Sequence, residues 1–295
     1  MKKDLPVYNI RKISDFKSED IIVSRFAPYL ETHPNLCQPH KHDFFHMLLF
    51  TKGGGTHSID FVTFPVTPFQ MYFMIPGQVH SWDFEGEVDG IVINFTAPFF
   101  KAFLLNPSYL DQFPYFCGKP STSVIYLPEE LQPEILRLMT CIVQESEANQ
   151  PNSADMIKVL LVALFINLGR LQHENLHLKL HHPQFNIFKK FIDLTDKNIT
   201  TLRLPSEYAD LLCISPNYLN MICNAIIAKP AGEIIRDRVV LEAKRLITNI
   251  DLSISEIAYQ LNFKDASYFS KFFKKQTGLP PEDFRNSFAR AGSCH

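Results

Sequence analysis

The chain has 295 residues, 46% hydrophobic and 20% charged, with 29 Lys+Arg against 31 Asp+Glu for a net charge of -2. That length admits two domains, and that composition is globular and soluble rather than disordered. The N-terminus, MKKDLPVYNIRK, has no apolar core of signal-peptide length, and no apolar run is long enough to span a bilayer, so a cytoplasmic chain is expected and a membrane partner is excluded.

The charge is uneven. Residues 186–295 hold 15 Lys+Arg and 12 Asp+Glu, net +3, which leaves 14 and 19, net -5, for residues 1–185. Basic charge is therefore local to the C-terminal part and modest, so any binding to a polyanion should depend on salt without being dominated by nonspecific attraction. Six cysteines, at positions 37, 117, 141, 213, 223 and 294, form no CxxC pair, consistent with a reducing compartment. Cys213 and Cys223 are expected on helices as free buried thiols.

In residues 1–128, Phe, Val and Ile gather in short runs: Asp43–Thr51, His57–Thr63, Phe69–Ile75 and Gly90–Phe95. Turn signals at Gly53-Gly54-Gly55, Pro65, Pro68 and Pro76-Gly77 separate them. Many short strands so punctuated predict a β-sandwich or barrel. His40 and His42 are two apart, so a strand would put both rings on one face. With His80 they offer three imidazoles, a donor set suited to iron, zinc, nickel or copper, and His46 is close by. The alternatives are hydrogen bonds to an organic ligand, or packing alone. An apolar pocket lined by Phe44, Phe45, Tyr72, Trp82 and Phe95, with Arg25, His40, His42, His46 and His80 as polar anchors, is the expected effector site. Trp82, the only tryptophan, could stack on a ring.

From Pro128-Glu129 a helical stripe runs through Ile135, Leu138, Met139, Ile142 and Val143, and the polar stretch Glu145–Asn152 ends it. A second helix, Ser153–Leu171, carries Ile157, Leu160, Leu161, Leu164, Phe165 and Leu168. These helices either cover the barrel or pair with a second subunit. His173, His177, His181 and His182 match no ligand spacing and read as a solvated linker. Pro183 precedes a helix over Phe185–Asp196.

Two helical hairpins follow. In the first, Pro205 to Ala228, Ser215-Pro216 opens a helix with serine as cap and proline at its first position. Asn217, Asn220 and Asn224 form an i, i+3, i+7 series opposite the apolar face, and asparagine pairs bidentately with adenine. A long helix, Gly232–Ile250, leads to the second hairpin. There Ser253 caps Ile254, Ile257, Ala258 and Leu261, with Glu256 three residues on. Asp265 opens a helix whose apolar face is Tyr268, Phe269, Phe272 and Phe273 and whose other face is Ser267, Ser270, Lys271, Lys274 and Lys275. Gly278 and Pro280-Pro281 stop it. Such a helix either belongs to an ordinary amphipathic hairpin with a solvated lysine face or suits a DNA major groove, with Ser267, Tyr268 and Lys271 near base edges and Lys274, Lys275 and, beyond the helix, Arg285 on phosphates.

The run Ile257-Ala258, Asn262-Phe263, Ser267 to Lys275, Thr277-Gly278, Pro281 and Phe284-Arg285 resembles the C-terminal signature of AraC/XylS-type transcription regulators. Arg236-Asp237-Arg238 and Leu241 to Leu246 resemble the helix that joins that family's two helix-turn-helix units. Asn262 stands where the family usually has Gly. The first unit departs further: Met221, Asn224 and Ala225 replace the usual basic residues, and Ile227-Ala228 the usual Thr-Gly. His40-x-His42-x3-His46, Gly53 and Pro76-Gly77-x-x-His80 resemble the two cupin motifs, and His57–Phe61 with PGQVHSW is similar to the sensor domains of the same regulators. The resemblance implies an α+β two-domain chain: a cupin-like β-barrel sensor (1–128), a helical dimerisation and linker region (129–182), and an all-α domain of seven helices with two helix-turn-helix units joined by a long helix (183–295). It implies double-stranded DNA, a small-molecule effector, RNA polymerase and a second copy of the chain as partners, activation as the output, no catalytic residues, and a barrel that works without metal or other cofactor. The rivals are a metal-dependent cupin enzyme with an accessory DNA-binding domain, and a nucleoid-type protein with no effector.

Overall fold

The computed structural model describes residues 5–10, 20–101, 109–110, 113–148, 150–180 and 184–291. The chain divides into two compact units, Leu5–His173 and Glu174–His295.

Among its described residues the first unit holds ten strands: β1 Val7–Tyr8, β2 Ile21–Arg25, β3 His40–His42, β4 Phe45–Lys52, β5 Gly55–Ile59, β6 Val62–Pro65, β7 Gln70–Met74, β8 Val79–Phe84, β9 Asp89–Phe95 and β10 Val124–Tyr126. They form two five-stranded sheets, ordered β1-β3-β8-β5-β6 and β10-β7-β4-β9-β2. Every pairing is antiparallel except β1 with β3. The β5–β6 hairpin turns on Asp60 (φ 45°) and Phe61 (φ 70°), two left-handed residues, as the tight turn of a right-twisted hairpin requires. The Asp60 carboxylate accepts from Gln78 Nε2 (2.8 Å) and the Val79 amide (3.2 Å), which pins that turn to the start of β8.

The second sheet is buried on both faces, and the two-residue period of a strand sorts its side chains. Leu48, Phe50, Tyr72, Met74 and Val92 pack with Ile59 and Trp82 of the first sheet. Met47, Leu49, Met71, Phe73, Ile91, Ile93 and Phe95 pack on the opposite face, against helices α3 (Gln132–Ala148) and α4 (Ser153–Leu180). Both helices thus cover the sheet with the apolar stripes legible in the sequence. Two shorter helices, α1 (Phe26–Thr32) and α2 (Ala97–Lys101), flank the sheets. The stretch read as a solvated linker is helical backbone as far as Leu180, and His181 and His182 lie outside the described residues.

The second unit contains seven helices among its described residues: α5 Phe185–Asn198, α6 Pro205–Leu211, α7 Pro216–Ile227, α8 Ala231–Ile247, α9 Ile254–Gln260, α10 Ala266–Thr277 and α11 Pro281–Ala291. They enclose two cores. Phe188, Phe191, Tyr208, Leu219, Ile222 and Ile226 form the first with Ala231, Ile234, Ile235 and Val239 of α8. Ile257, Ala258, Leu261, Phe269 and Phe273 form the second with Ala243 and Ile247 of the same helix. One helix therefore belongs to both cores, its N-terminal half to one and its C-terminal half to the other. It ends at Ile247, earlier than the sequence suggested, with the Thr248 Oγ1 donating to the Arg245 carbonyl (2.7 Å).

Candidate functional site: a double helix-turn-helix surface and a histidine core

Local sequence builds the second helix-turn-helix. The Ser253 Oγ accepts from the Glu256 amide (3.1 Å) while the Glu256 carboxylate accepts from the Ser253 amide (2.7 Å), so two orphan donors of α9 are met reciprocally. Those bonds hold the Glu256 carboxyl below the usual carboxylate range. Asn262 takes the left-handed conformation (φ 55°) that lets the chain turn toward α10. The Asp265 carboxylate caps α10 by accepting from the Tyr268 amide (2.7 Å). Phe269 and Phe273 are fully buried, which leaves Ser267, Tyr268, Lys271, Lys274 and Lys275 exposed on the remaining surface, Tyr268 by 61%.

Arg285 is elsewhere. Its Nε donates to the Ile247 carbonyl (3.0 Å) and its Nη2 to the Leu252 carbonyl (2.7 Å). The expected phosphate ligand instead ties the end of α8 to the start of the second helix-turn-helix. Three cations with no DNA role assigned from the sequence lie near α10. Arg203, Arg236 and Lys264 line a groove of about 910 Å³ together with Lys271, Lys275 and Phe263. The Arg203 guanidinium sits 4.6 Å over the Phe263 ring, and partial burial lowers its pKa. Only their convergence in three dimensions would have flagged them.

The first helix-turn-helix shares the scaffold and differs in surface. The Ser215 Oγ caps α7 by accepting from the Tyr218 amide (3.2 Å). Asn217 and Asn224 are exposed. Asn220 cannot present both amide atoms to an adenine: its Oδ1 accepts from the Ala231 amide (2.9 Å), which fixes the start of α8. Met221, 47% exposed, completes the outer face. Ala228 ends α7 at φ 55°, a left-handed position without the glycine that would relieve it. Cys213 is exposed in the turn between α6 and α7 at φ 54°, not buried on a helix as expected, whereas Cys223 is buried.

In the first unit of the chain, β3, β4, β5 and β8 bring five histidines together. His40, His42, His46, His57 and His80 are each at most 3% exposed. Strand register does this: His40 pairs with His80 across β3 and β8, and His57 with Trp82 across β5 and β8. His40 Nε2 lies 3.0 Å from His42 Nε2, which lies 2.6 Å from His80 Nε2, and His80 Nδ1 lies 3.2 Å from His57 Nε2. His46 Nδ1 meets Asn94 Oδ1 at 2.7 Å. Burial drives all five pKa values down, to about 4 for His40 and about 3 for His46, so the imidazoles are neutral near pH 7. Phe44, Tyr72 and Trp82 surround them, with ring centroids 4.4 Å (Phe44 to His42), 4.6 Å (Tyr72 to His57) and 4.8 Å (Trp82 to His80) apart. The Tyr72 hydroxyl donates to the Pro65 carbonyl (2.8 Å).

Three expected lining residues lie elsewhere. Phe45 and Phe95 stack on each other at 5.1 Å on the helix-covered face of the second sheet. Arg25 is exposed at the end of β2. The reading also missed His57, whose inward direction was legible only as the strand phase it shares with the buried Ile59.

A family model described as an AraC-like ligand-binding domain matches residues 27–164, and one described as a helix-turn-helix domain matches residues 208–287. The chain is 20% identical over 264 residues to the HTH-type transcriptional activator RhaR of Enterobacter sp. (strain 638), covering 87% of this chain and 90% of that one. It is 23% identical over 254 residues to RhaR of Salmonella dublin, covering 84% and 86%. Among solved structures, ToxT from Vibrio cholerae O395 aligns with 91% of this chain and 98% of its own at 12% identity and a TM-score of 0.45. The AraC-type DNA-binding regulator from Chromobacterium violaceum aligns with 34% of this chain and 90% of its own at 17% identity and a TM-score of 0.32.

Proposed function

We propose, from the premise that this chain belongs to the AraC-type family of transcription regulators, that it activates transcription by placing both helix-turn-helix units on one face of double-stranded DNA. The observation that carries this reading is the pair of helix-turn-helix cores built on one shared helix, with an exposed lysine face on α10. Helices α7 and α10 enter successive major-groove segments. Ser267, Tyr268 and Lys271 approach base edges in the second segment, and Lys274 and Lys275 hold phosphates. In the first, Asn217 and Asn224 read bases while Met221 offers an apolar contact of the kind a thymine methyl accepts.

The functional division is a sensor over residues 1–128, a helical region over 129–182 that contributes to a homodimer, and a DNA-binding part over 183–295. Activation as the output and RNA polymerase as a partner fit the relatives, whose names are those of activators rather than enzymes. No described helix is long and apolar enough to cross a membrane, in keeping with a cytoplasmic regulator. A small molecule bound in the sensor biases the DNA-competent arrangement only if its affinities for the two arrangements differ.

The test is selection of genomic fragments by the purified protein at near-physiological salt, followed by footprinting. Discrete sites protected in two patches one helical turn apart support the reading. Binding without sequence preference, with or without small molecules from cell extract, would sink it.

A further inference from the structure

The two helix-turn-helix halves are tied to each other outside α8 as well. Asn262 Nδ2 donates to the Thr201 carbonyl (3.2 Å), and the Arg203 guanidinium lies 4.6 Å over the Phe263 ring. Thr201 and Arg203 lead into α6 of the first helix-turn-helix, and Asn262 and Phe263 lie between α9 and α10 of the second. Asn262 stands where the resembled signature has Gly. This chain therefore keeps the left-handed turn (φ 55°) and adds a side chain that reaches the other half. These contacts join the two walls of the groove beside α10. That groove carries five cations, Arg203, Arg236, Lys264, Lys271 and Lys275, against one carboxylate, Asp265. The carboxylate is committed to the Tyr268 amide (2.7 Å). Among the described residues none of the five cations has an ion-pair partner. Like charges so gathered repel, and Arg203 Nη2 is buried without an acceptor, which leaves its desolvation uncompensated. Burial lowers the Arg203 pKa, yet a guanidinium stays charged at any physiological pH. An anion with several acceptor oxygens would meet both demands.

Position says which anion. Tyr268 and Lys271 line the groove and also belong to the exposed face of α10. The opposite wall comes from the first helix-turn-helix, through Arg203 and through Arg236 on the N-terminal half of α8. On one face of B-DNA, two successive major-groove segments are separated by a minor groove edged with phosphates. Side chains standing between two recognition helices therefore meet backbone rather than the edges of major-groove bases. We propose that Arg203, Arg236 and Lys264 clamp the phosphodiester backbone at the minor groove between the two segments, with Arg203 as the buried anchor. The clamp rests on the DNA reading above and adds to it a contact that neither recognition helix supplies alone. Phe263 holds the guanidinium plane before DNA arrives, which spares its ordering on binding. Asn262 is a positioning residue: it holds the two walls at one separation and touches no phosphate itself.

The experiment uses the full-length protein and a DNA site recovered by the fragment selection, with phosphates ethylated singly along both strands. We expect ethylation between the two protected patches to block binding of the wild-type protein. In Arg203→Ala that interference disappears, affinity falls about 10- to 100-fold and the logarithmic salt slope falls by about 0.9, while both patches stay protected. Arg203→Lys keeps the slope, because it keeps the charge. Lys264→Ala, on the exposed turn, also lowers the slope by about 0.9 and relieves interference in the same stretch, and it carries the test should Arg203→Ala unfold. Asn262→Gly suits φ 55° and removes a tie but no charge, so it weakens the interference between the patches and leaves the slope unchanged. Two patches with no interference between them overturn the clamp and leave the DNA reading standing. Absence of discrete patches overturns both. Anilinonaphthalenesulfonate bound by the wild-type protein and not by Arg203→Ala, with footprint and slope the same in both, makes an organic anion the occupant and also overturns the clamp.

Discussion

The two units of this chain handle polar side chains in opposite ways. The sheet unit takes five histidines, an asparagine and a tryptophan inside and holds them on one another. The helical unit keeps its interior almost wholly apolar and sets its lysines outside. The first arrangement gives a core whose stability follows protonation. The second gives a surface whose chemistry can change without touching the core, as the contrast between the asparagine face of α7 and the lysine face of α10 shows.

Acid should separate the units most sharply. Each core histidine is neutral in the fold and protonated in the unfolded chain below about pH 6.5. Its contribution is full above that pH and is lost as pH falls toward its folded value, about 4 for His40 and about 3 for His46. Each costs about 1.4 kcal/mol per pH unit in that window. Circular dichroism melts between pH 7 and 5 should show the sheet transition moving down steeply while the helical transition stays nearly fixed. A common shift of both would break the comparison.

Truncating a core ring comes next. Phe273→Ala should cost about 3–5 kcal/mol in urea unfolding of the helical unit, because Phe273 is fully buried. Arg285→Ala removes two charge-assisted bonds to carbonyls and should cost about 1.5–3 kcal/mol of stability. It should leave the salt dependence of DNA binding unchanged. Lys274→Ala, on the exposed face, should do the reverse: stability stays within about 0.5 kcal/mol and the logarithmic salt slope falls by about 0.9. A slope altered by Arg285→Ala and untouched by Lys274→Ala would reverse the roles drawn for them. The smallest effect is at the helix ends. Ala228→Gly should stabilise by about 1 kcal/mol, since Ala228 sits at φ 55°, whereas Gly278→Ala at φ 84° should destabilise by a similar amount.

What could be read from the sequence follows from how far each cause lies along the chain. The Ser253–Glu256 box and the Asp265 cap were legible because both partners sit three residues apart. Asn220 and Arg285 were misassigned because their partners lie 11 and 38 residues away. Phe45 and Phe95 went to the wrong face because the second sheet is covered on both sides, which erases the alternation that would tell in from out. His57 stands outside the H-x-H spacing and joins the cluster only through the register of β5 on β8.

The helix shared by the two cores has a consequence for how binding sites of this chain can change. Over a straight α-helix each residue advances about 1.5 Å and turns about 100°. One residue inserted between Val239 and Ala243 would rotate one recognition surface about that far around the axis relative to the other, and no flexible joint within α8 could undo it. Individual bases of an operator can therefore be exchanged by altering single exposed side chains. The helical phase between its two halves is fixed by the length of one secondary-structure element, inside a single polypeptide.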